Sequence, residues 1–498
     1  MKNLFSIFCL LVLLTACQPA IPPTRTVPTR TVAPTALEAT ATTLLPTSVA
    51  TINIEPTASL LPDRPLSTSG PWVFVPLNNT FFAINPDGTG YTSFNRSGPK
   101  DVVAIATYGN RVAYVEKDTY DDVGAVLTLR QLPGGESIVI PLATSLKESA
   151  FTGDDFDPNG NSYPKSAYDK YIETATAIGK LAWSPNGKYL AFTGAIDGPT
   201  SDVYVYSLAT GKIKRLTDSI TQAVRLEWTP DSHYIVHAAA TSLNVGRSGG
   251  GYDLDSFWAV TPDGTETKKI ASLSSDAEIL GWLDSSKYIV GYFYSYMSPD
   301  FDLDIVDINT GKTTSWFDDS FFAGSYDPID KVFLLSIDKD TTGIQKYANG
   351  LYLLRPGKAP EKISDVKAKL FAGIAWYSEI KRFLVADNDG KVYSVTADGK
   401  VETVPSLYTI TDLAISPDGK YWSTSGVGIE VGDWEGHVRE NISSAGDVRQ
   451  IWSADSRYCY VLTNGSFMVL AAPDFKTLRE IPLGSDRGGW LHPVWVAP

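Results

Sequence analysis

Three groups of residues in this chain have types and spacings that could do chemistry. Asp155, Asp157 and Asn159, followed by Gly160, match the start of a calcium loop, in which alternate oxygen ligands wrap a hard cation around a sharp bend. The pattern then lapses, because Ser166 stands where a bidentate Glu would close the shell. The same segment carries Tyr163, Tyr168 and Tyr171, a residue type favoured where a loop meets a partner. Calcium and a tyrosine-lined binding loop are therefore two readings, and a polar surface loop is the third. His233 and His237 form H-x-x-x-H, which brings two imidazoles onto one metal only in a helix. On a strand they would lie roughly 13 Å apart, so no metal is expected there. Gly246 to Gly250, with Ser248 at its centre, matches G-x-S-x-G. A nucleophile elbow needs a strand-to-helix turn. Ser248 is expected between two strands and is read as part of a glycine-rich loop. With His437 and His492 the histidines number four, which leaves no catalytic constellation and no other cofactor expected.

The elements that hold these residues are legible in a repeated phrase. "LAWSPNGKYLAFTG" begins at Leu181, "LEWTPDSHYIVHA" at Leu226, "LGWLDSSKYIVGY" at Leu280, "LAISPDGKYWSTS" at Leu413 and "QIWSADSRYCYVL" at Gln450. In each, apolar and polar residues alternate on both sides of a turn, as in half-buried strands. Pro, Asn or Asp, and Gly suit successive corners of that turn. A second hairpin follows, as in "VYVYSLATGKIKRLT" from Val203 and "VYSVTADGKVETV" from Val392. Each unit is thus four strands, A to D. Counted at the Trp183 position, the series runs Trp228, Trp282, Tyr326, Trp376, Ile415, Trp452 and Trp495, in steps of 37 to 54 residues. An earlier unit contains "VVAIATYGNRVAY" from Val102, and an insertion over 146–178 separates it from the next.

Four strands per repeat at this period predict an all-β fold, a single closed β-propeller. Nine units are counted, with eight as the alternative. The weakest units lie near Phe321 and Leu370. The chain ends in "GGWLHPVWVAP", which reads as strand A alone, and the folded part opens with "PWVFVPLNNTFFAINPDGTGYTSF", which reads as B, C and D. The two are predicted to share one blade and close the ring without an open edge. Aromatics at the Trp183 position are assigned to packing between blades.

The first residues form a different region. Lys2 precedes an apolar run from Leu4 to Leu14, the length of a signal-peptide core and too short for a membrane span. Leu14-Thr15-Ala16-Cys17 resembles the lipobox of bacterial lipoproteins. The resemblance implies cleavage after residue 16 and acyl chains on Cys17, which anchor it to a membrane on the extracytoplasmic side. From Gln18 to Ser69 there are 12 Thr and 9 Pro, with no aromatic residue and no Gly. Residues 17–69 are read as the lipidated end and a disordered tether, and 70–498 as the propeller.

Lys and Arg number 42 against 56 Asp and Glu, a formal charge of −14. That surface excludes nucleic acid as a partner. Cys9 leaves with the leader and Cys17 takes lipid, so Cys459 is left alone and is read as a buried hydrophobe.

"SPDGK" at Ser416 and "NPDGTG" at Asn85 resemble the WD40-like repeats of TolB-type propellers. The resemblance covers about residues 71–498. It implies an envelope protein that binds protein or peptide partners, often at the central channel. Related propellers precede the hydrolase domain of prolyl-oligopeptidase-type enzymes, and no such domain is expected here. The reading is of a monomeric lipoprotein acting as a binding or scaffold module for a protein, peptide or envelope glycan. The alternative is a propeller enzyme, a hydrolase or lyase acting on an extracellular polymer. Buried carboxylates around the axis would favour the enzyme, and an apolar, aromatic channel would favour the binder.

Overall fold

The structure is a computed structural model. It describes residues 64–498 except 79, 96–100, 118–123, 136, 147–172, 244–251, 274–275, 294–300, 322, 339–345, 371–372, 427, 443–447 and 485–490. All of the described residues belong to the compact unit Pro56–Pro498.

Among the described residues there are nine four-stranded sheets, each an antiparallel meander. The expected count of nine holds, and the weak units near Phe321 and Leu370 are full blades. Blade I joins the two ends of the chain. Its strand A, Val494–Val496, pairs with Trp72–Pro76, which continues through Thr80–Ile84 to Thr92–Asn95. Strand A of the next eight blades is Asp101–Tyr108, Leu181–Trp183, Gln222–Trp228, Asp276–Trp282, Ala323–Asp327, Ile374–Tyr377, Ala414–Ile415 and Arg449–Trp452. Strands A of successive blades lie against one another, which makes them the innermost strands around the axis.

A single sheet of this kind is apolar on both faces and cannot fold alone. Its neighbours supply the cover. Eight seams between blades are each filled by one buried apolar cluster. Blades II and III share Val115, Leu127, Trp183, Leu190 and Phe192, and blades VIII and IX share Ile429, Val431, Trp452, Cys459 and Val461. The ninth seam closes the ring. There Phe82 meets the edge of Phe467 at 5.3 Å, Tyr460 packs on Trp495, and the Tyr460 hydroxyl donates to the Pro86 carbonyl at 2.9 Å.

The aromatic at the end of strand A also hydrogen-bonds to the blade before it. Trp183 Nε1 donates to the Ala106 carbonyl at 3.3 Å, and Trp228 Nε1 to the Ala182 carbonyl at 3.0 Å. The Tyr326 hydroxyl donates to the Trp282 carbonyl at 3.2 Å. Thr107 takes this position in blade II and donates to the Trp495 carbonyl. Buried indole and phenol groups need such partners. At these seams the series packs and hydrogen-bonds at once, whereas Ile415 has no donor and, among the described residues, Trp376 Nε1 has no partner.

The repeated turn has a local cause. Ser184 Oγ bonds Asn186 Oδ1 and accepts the Tyr189 amide, while Gly187 takes φ 68°. Ser416, Asp418 and Gly419 repeat this arrangement. In blades IV and IX the glycine is replaced by Ser232 and Ser456, which hold φ 63° and 62°. That left-handed backbone costs a non-glycine residue about 1 kcal/mol or more. Each serine offsets it by accepting an amide from the preceding blade: Asn186 N donates to Ser232 Oγ at 3.0 Å, and Asp418 N to Ser456 Oγ at 2.9 Å. Ser456→Ala keeps the strain and loses the bond, so it is expected to destabilise by about 1–2 kcal/mol. Ser456→Gly loses the bond but removes the strain, and is expected to cost under about 1 kcal/mol. Denaturant midpoints of the two variants check the order.

Candidate functional site

The A–B and C–D turns sit at one rim of the ring, and the B–C and D–A connections leave the other. The insertion joins blades II and III at that second rim. Both of its ends are fixed. The Ala195 amide donates to the Leu142 carbonyl and the Ser145 amide to the Ala195 carbonyl. At the other end a short helix over 173–177 is held by a buried polar network. Gln222 Nε2 donates to Thr174 Oγ1 at 2.9 Å, Thr193 Oγ1 donates to the Ala177 carbonyl at 2.9 Å, and Lys117 Nζ reaches the Ala175 carbonyl. Gly179, at φ 95°, then turns the chain into strand A, and the Lys180 amide donates to Thr193 Oγ1.

Lys180 stands three residues before Trp183. Counted in the same way, the other blades place His492, Ala104, Arg225, Ala323, Gly373, Asp412 and Arg449 at this level, and in blade V the bulge at Leu280 brings Glu278 there. Charge is therefore gathered on two arcs of the axial wall, and apolar or small residues occupy the rest. Two of these positions have strained backbone. Arg225 is the extra residue of a bulge between Val224 and Leu226, opposite Ala238 and His237, at φ 56°, and Asp412 holds φ 51°. A bulge at such a point re-aims a side chain.

The side chains form local groups. Arg225 Nη1 lies 3.5 Å from Glu278 Oε1 and also donates to the Ala277 carbonyl. Lys180 is open to solvent yet enclosed by protein, as a channel-wall group is. Desolvation lowers its pKa, the neighbouring Arg225 lowers it further, and Glu278 opposes them. Burial raises the carboxyl of Glu227, with Trp282 opposing. Across the axis, burial lowers His492 to about 4, helped by the charge of Arg449, and its Nδ1 lies 3.4 Å from the Gln450 carbonyl. His492 is therefore neutral near pH 7. The channel is neither the apolar, aromatic tube nor the cluster of carboxylates that would separate binder from enzyme by itself. It is a mixed wall with cations prominent.

The residues singled out in the sequence fall elsewhere. Cys17, Asp155, Asp157, Asn159, Tyr163, Tyr168, Tyr171 and Ser248 lie outside the described residues. The strands flanking Ser248, Ile235–Leu243 and Tyr252–Val260, are antiparallel neighbours, so that segment links strand to strand. His233 lies in the turn before strand Ile235–Leu243, which His237 occupies, so only one of the pair is on a strand. Burial lowers His237 to about 4. Cys459 is fully buried, and its thiol is pushed up to about 12.

One group was missed in the sequence: Asp433, Glu435 and His437, whose ligand atoms lie within 4.8 Å of one another. The signal was the turn phrase "DWEGH". Asp433 is already engaged. It accepts from Arg439 Nε at 2.9 Å and Nη2 at 2.7 Å, and from the amides of Glu435 and His437. These bonds outweigh its desolvation and hold the carboxyl at about 2. A cation would have to displace a guanidinium, so the group is a turn lock. Adding and removing divalent cations is expected to leave the melting temperature unchanged within about 1 °C, which calorimetry checks.

No family model and no curated protein matches the chain. Solved structures do. A crystal structure of the eukaryotic initiation factor aligns with a TM-score of 0.55 at 12% identity, covering 86% of this chain and 99% of that one. TolB from Acinetobacter baumannii aligns with a TM-score of 0.30 at 13% identity, covering 66% and 77%. An oligogalacturonate lyase in complex with manganese aligns at 0.36 and 14%, covering 57% and 85%. Such identities speak to fold alone. The class of protein is a β-propeller with nine blades among the described residues.

Proposed function

We propose that this protein is a lipid-anchored binding module that displays its propeller outside the cytoplasm and receives a protein or peptide partner at the axial channel. The observation that carries this reading is the placement of Lys180, Arg225 and Arg449 at one level of the axial wall in a chain whose formal charge is −14. An acidic surface repels anions in general, so converging cations at the axis select for one that is positioned. The lipobox-like Cys17 supports the anchor, and the Thr- and Pro-rich residues 18–63 support a spacer between lipid and propeller, while Pro65, Leu66 and Ser67 are already held against blade I. Cys17→Ala is expected to move the protein from the membrane pellet to the soluble fraction with its melting temperature unchanged. Retention of the Cys17→Ala variant in the pellet under high salt would contradict the anchor.

A second reading, catalysis, has one observation in its favour: the carboxyl of Glu227, on strand A of blade IV beside Trp282, is raised by burial. A general acid needs that shift. If the channel hydrolyses or cleaves a polymer, Glu227→Gln abolishes turnover. The binding reading expects no turnover in either form.

A further inference from the structure

Lys180, just ahead of strand A of blade III, and Arg225, in the bulge of strand A of blade IV, each stand three residues before the seam Trp, and the two charges act on one another. The carboxylate beside them is Glu278, 3.5 Å from Arg225 Nη1. Among the described residues the Lys180 ammonium has no hydrogen bond and no ion pair. Its backbone is pinned, through its amide on Thr193 Oγ1, so the side chain is presented from a rigid base. Glu278, the carboxylate that acts on this ammonium, is engaged by Arg225, so a ligand carboxylate arriving beside Lys180 gains charge-assisted bonds.

The surroundings narrow the ligand. On either side at the same level stand Ala104, Ala323 and Gly373. Sugar recognition draws on aromatic faces, and none of these positions has one. Phosphate sites draw on helix N-termini or nests of amides, whereas this wall is made of strands. A small apolar wall beside a cation pair fits the last residue of a peptide, with its side chain on the apolar arc and its terminus on the cations.

We propose that Lys180 and Arg225 form a subsite for the free C-terminal carboxylate of a peptide entering the axial channel, an inference that rests on reading the channel as a binding site. Lys180 supplies the charge that is not already paired, and Arg225, aimed by its bulge and held by Glu278, completes the pair.

The test uses immobilised full-length protein and two pools of random hexapeptides, one with free C-termini and one amidated. Retained peptides are counted by mass spectrometry. The free-acid pool is expected to be enriched at least tenfold over the amidated pool. Lys180→Met should abolish that preference, and Lys180→Arg should retain it, with melting temperatures unchanged in both. Equal enrichment of the two pools, or a preference that survives Lys180→Met, overturns the subsite and leaves the channel a peptide site. Enrichment of neither pool overturns the channel reading, and the subsite with it.

Discussion

A chain ending at Gly484 is expected to lose cooperative folding. The missing residues include strand A of blade I, whose three register pairs are Trp72 with Val496, Val73 with Trp495 and Phe74 with Val494. Val496 is fully buried, and Trp495 packs on Tyr460 across the seam between blades IX and I. Truncation bares the edge of Trp72–Pro76 and removes cover from Trp72 and Phe74, both under 2% exposed. Losing the burial of a large aromatic alone costs about 3–5 kcal/mol, against a typical domain stability of about 5–15 kcal/mol. Urea unfolding followed by tryptophan fluorescence should therefore show a broad, early transition or none, and the protein should aggregate through the open edge. A truncated protein with an unchanged, sharp transition would mean that the terminal strand does not close the ring.

Acid is expected to destabilise the propeller before the carboxylates that are held low, such as Asp433, titrate. His237 and His492 are both held at about 4 in the folded protein, by desolvation first of all, against 6.5 when exposed. Between those values the unfolded chain takes up two protons that the folded chain refuses. Stability therefore rises with pH through this window, is complete above about 6.5, and falls as pH drops toward 4. At about 1.4 kcal/mol per pH unit per group, His237 contributes on the order of 3 kcal/mol. His492 contributes less, because it keeps some contact with solvent. Carboxylates held low, such as Asp433 at about 2, act only further down the scale. Urea midpoints at pH 7.5 and 5.0 measure the loss. His237→Leu should remove more than half of it and should be neutral or stabilising at pH 7.5, because among the described residues neither ring nitrogen of His237 has a hydrogen-bond partner. Equal midpoints at the two pH values would show that these histidines are not held neutral.

The architecture was legible because a propeller writes its period into the chain. Most blades use the same turn chemistry and a seam aromatic, so Trp183, Trp228 and Trp452 recur with "SPNG", "TPDS" and "SADS" beside them. Shared closure was legible too, since the two end fragments complement each other. Ser232 and Ser456 looked like lapses in that spelling. Their hydroxyls reach the turn of another blade, a long-range contact that no local pattern announces.

The channel was much less legible. Lys180, Arg225, Arg449 and His492 are scattered over more than 300 residues and share no motif. What unites them is a count of three from the seam aromatic, which acquires meaning only once strand A is known to be innermost. Attention went instead to Asp155, Asp157 and Asn159 and to the tyrosines of the insertion, because local spacing is what a sequence displays. The trio Asp433, Glu435 and His437 shows the opposite hazard. Close spacing there serves a turn, and Arg439 occupies the carboxylate that a metal would need.

The closed ring is tested most directly by a covalent link between its ends. In a Cys459→Ser background, cysteines are placed at Val73 and Trp495 in one variant and at Phe74 and Val494 in another. Opposed residues in an antiparallel pair lie about 4.5–5.5 Å apart, alternating between the two spacings, and both fall within disulfide reach. Mild oxidation is expected to join at least one of the pairs, seen as a shift in non-reducing electrophoresis that dithiothreitol reverses. Free thiols in both variants after oxidation of the folded protein would place the termini apart and contradict the shared blade.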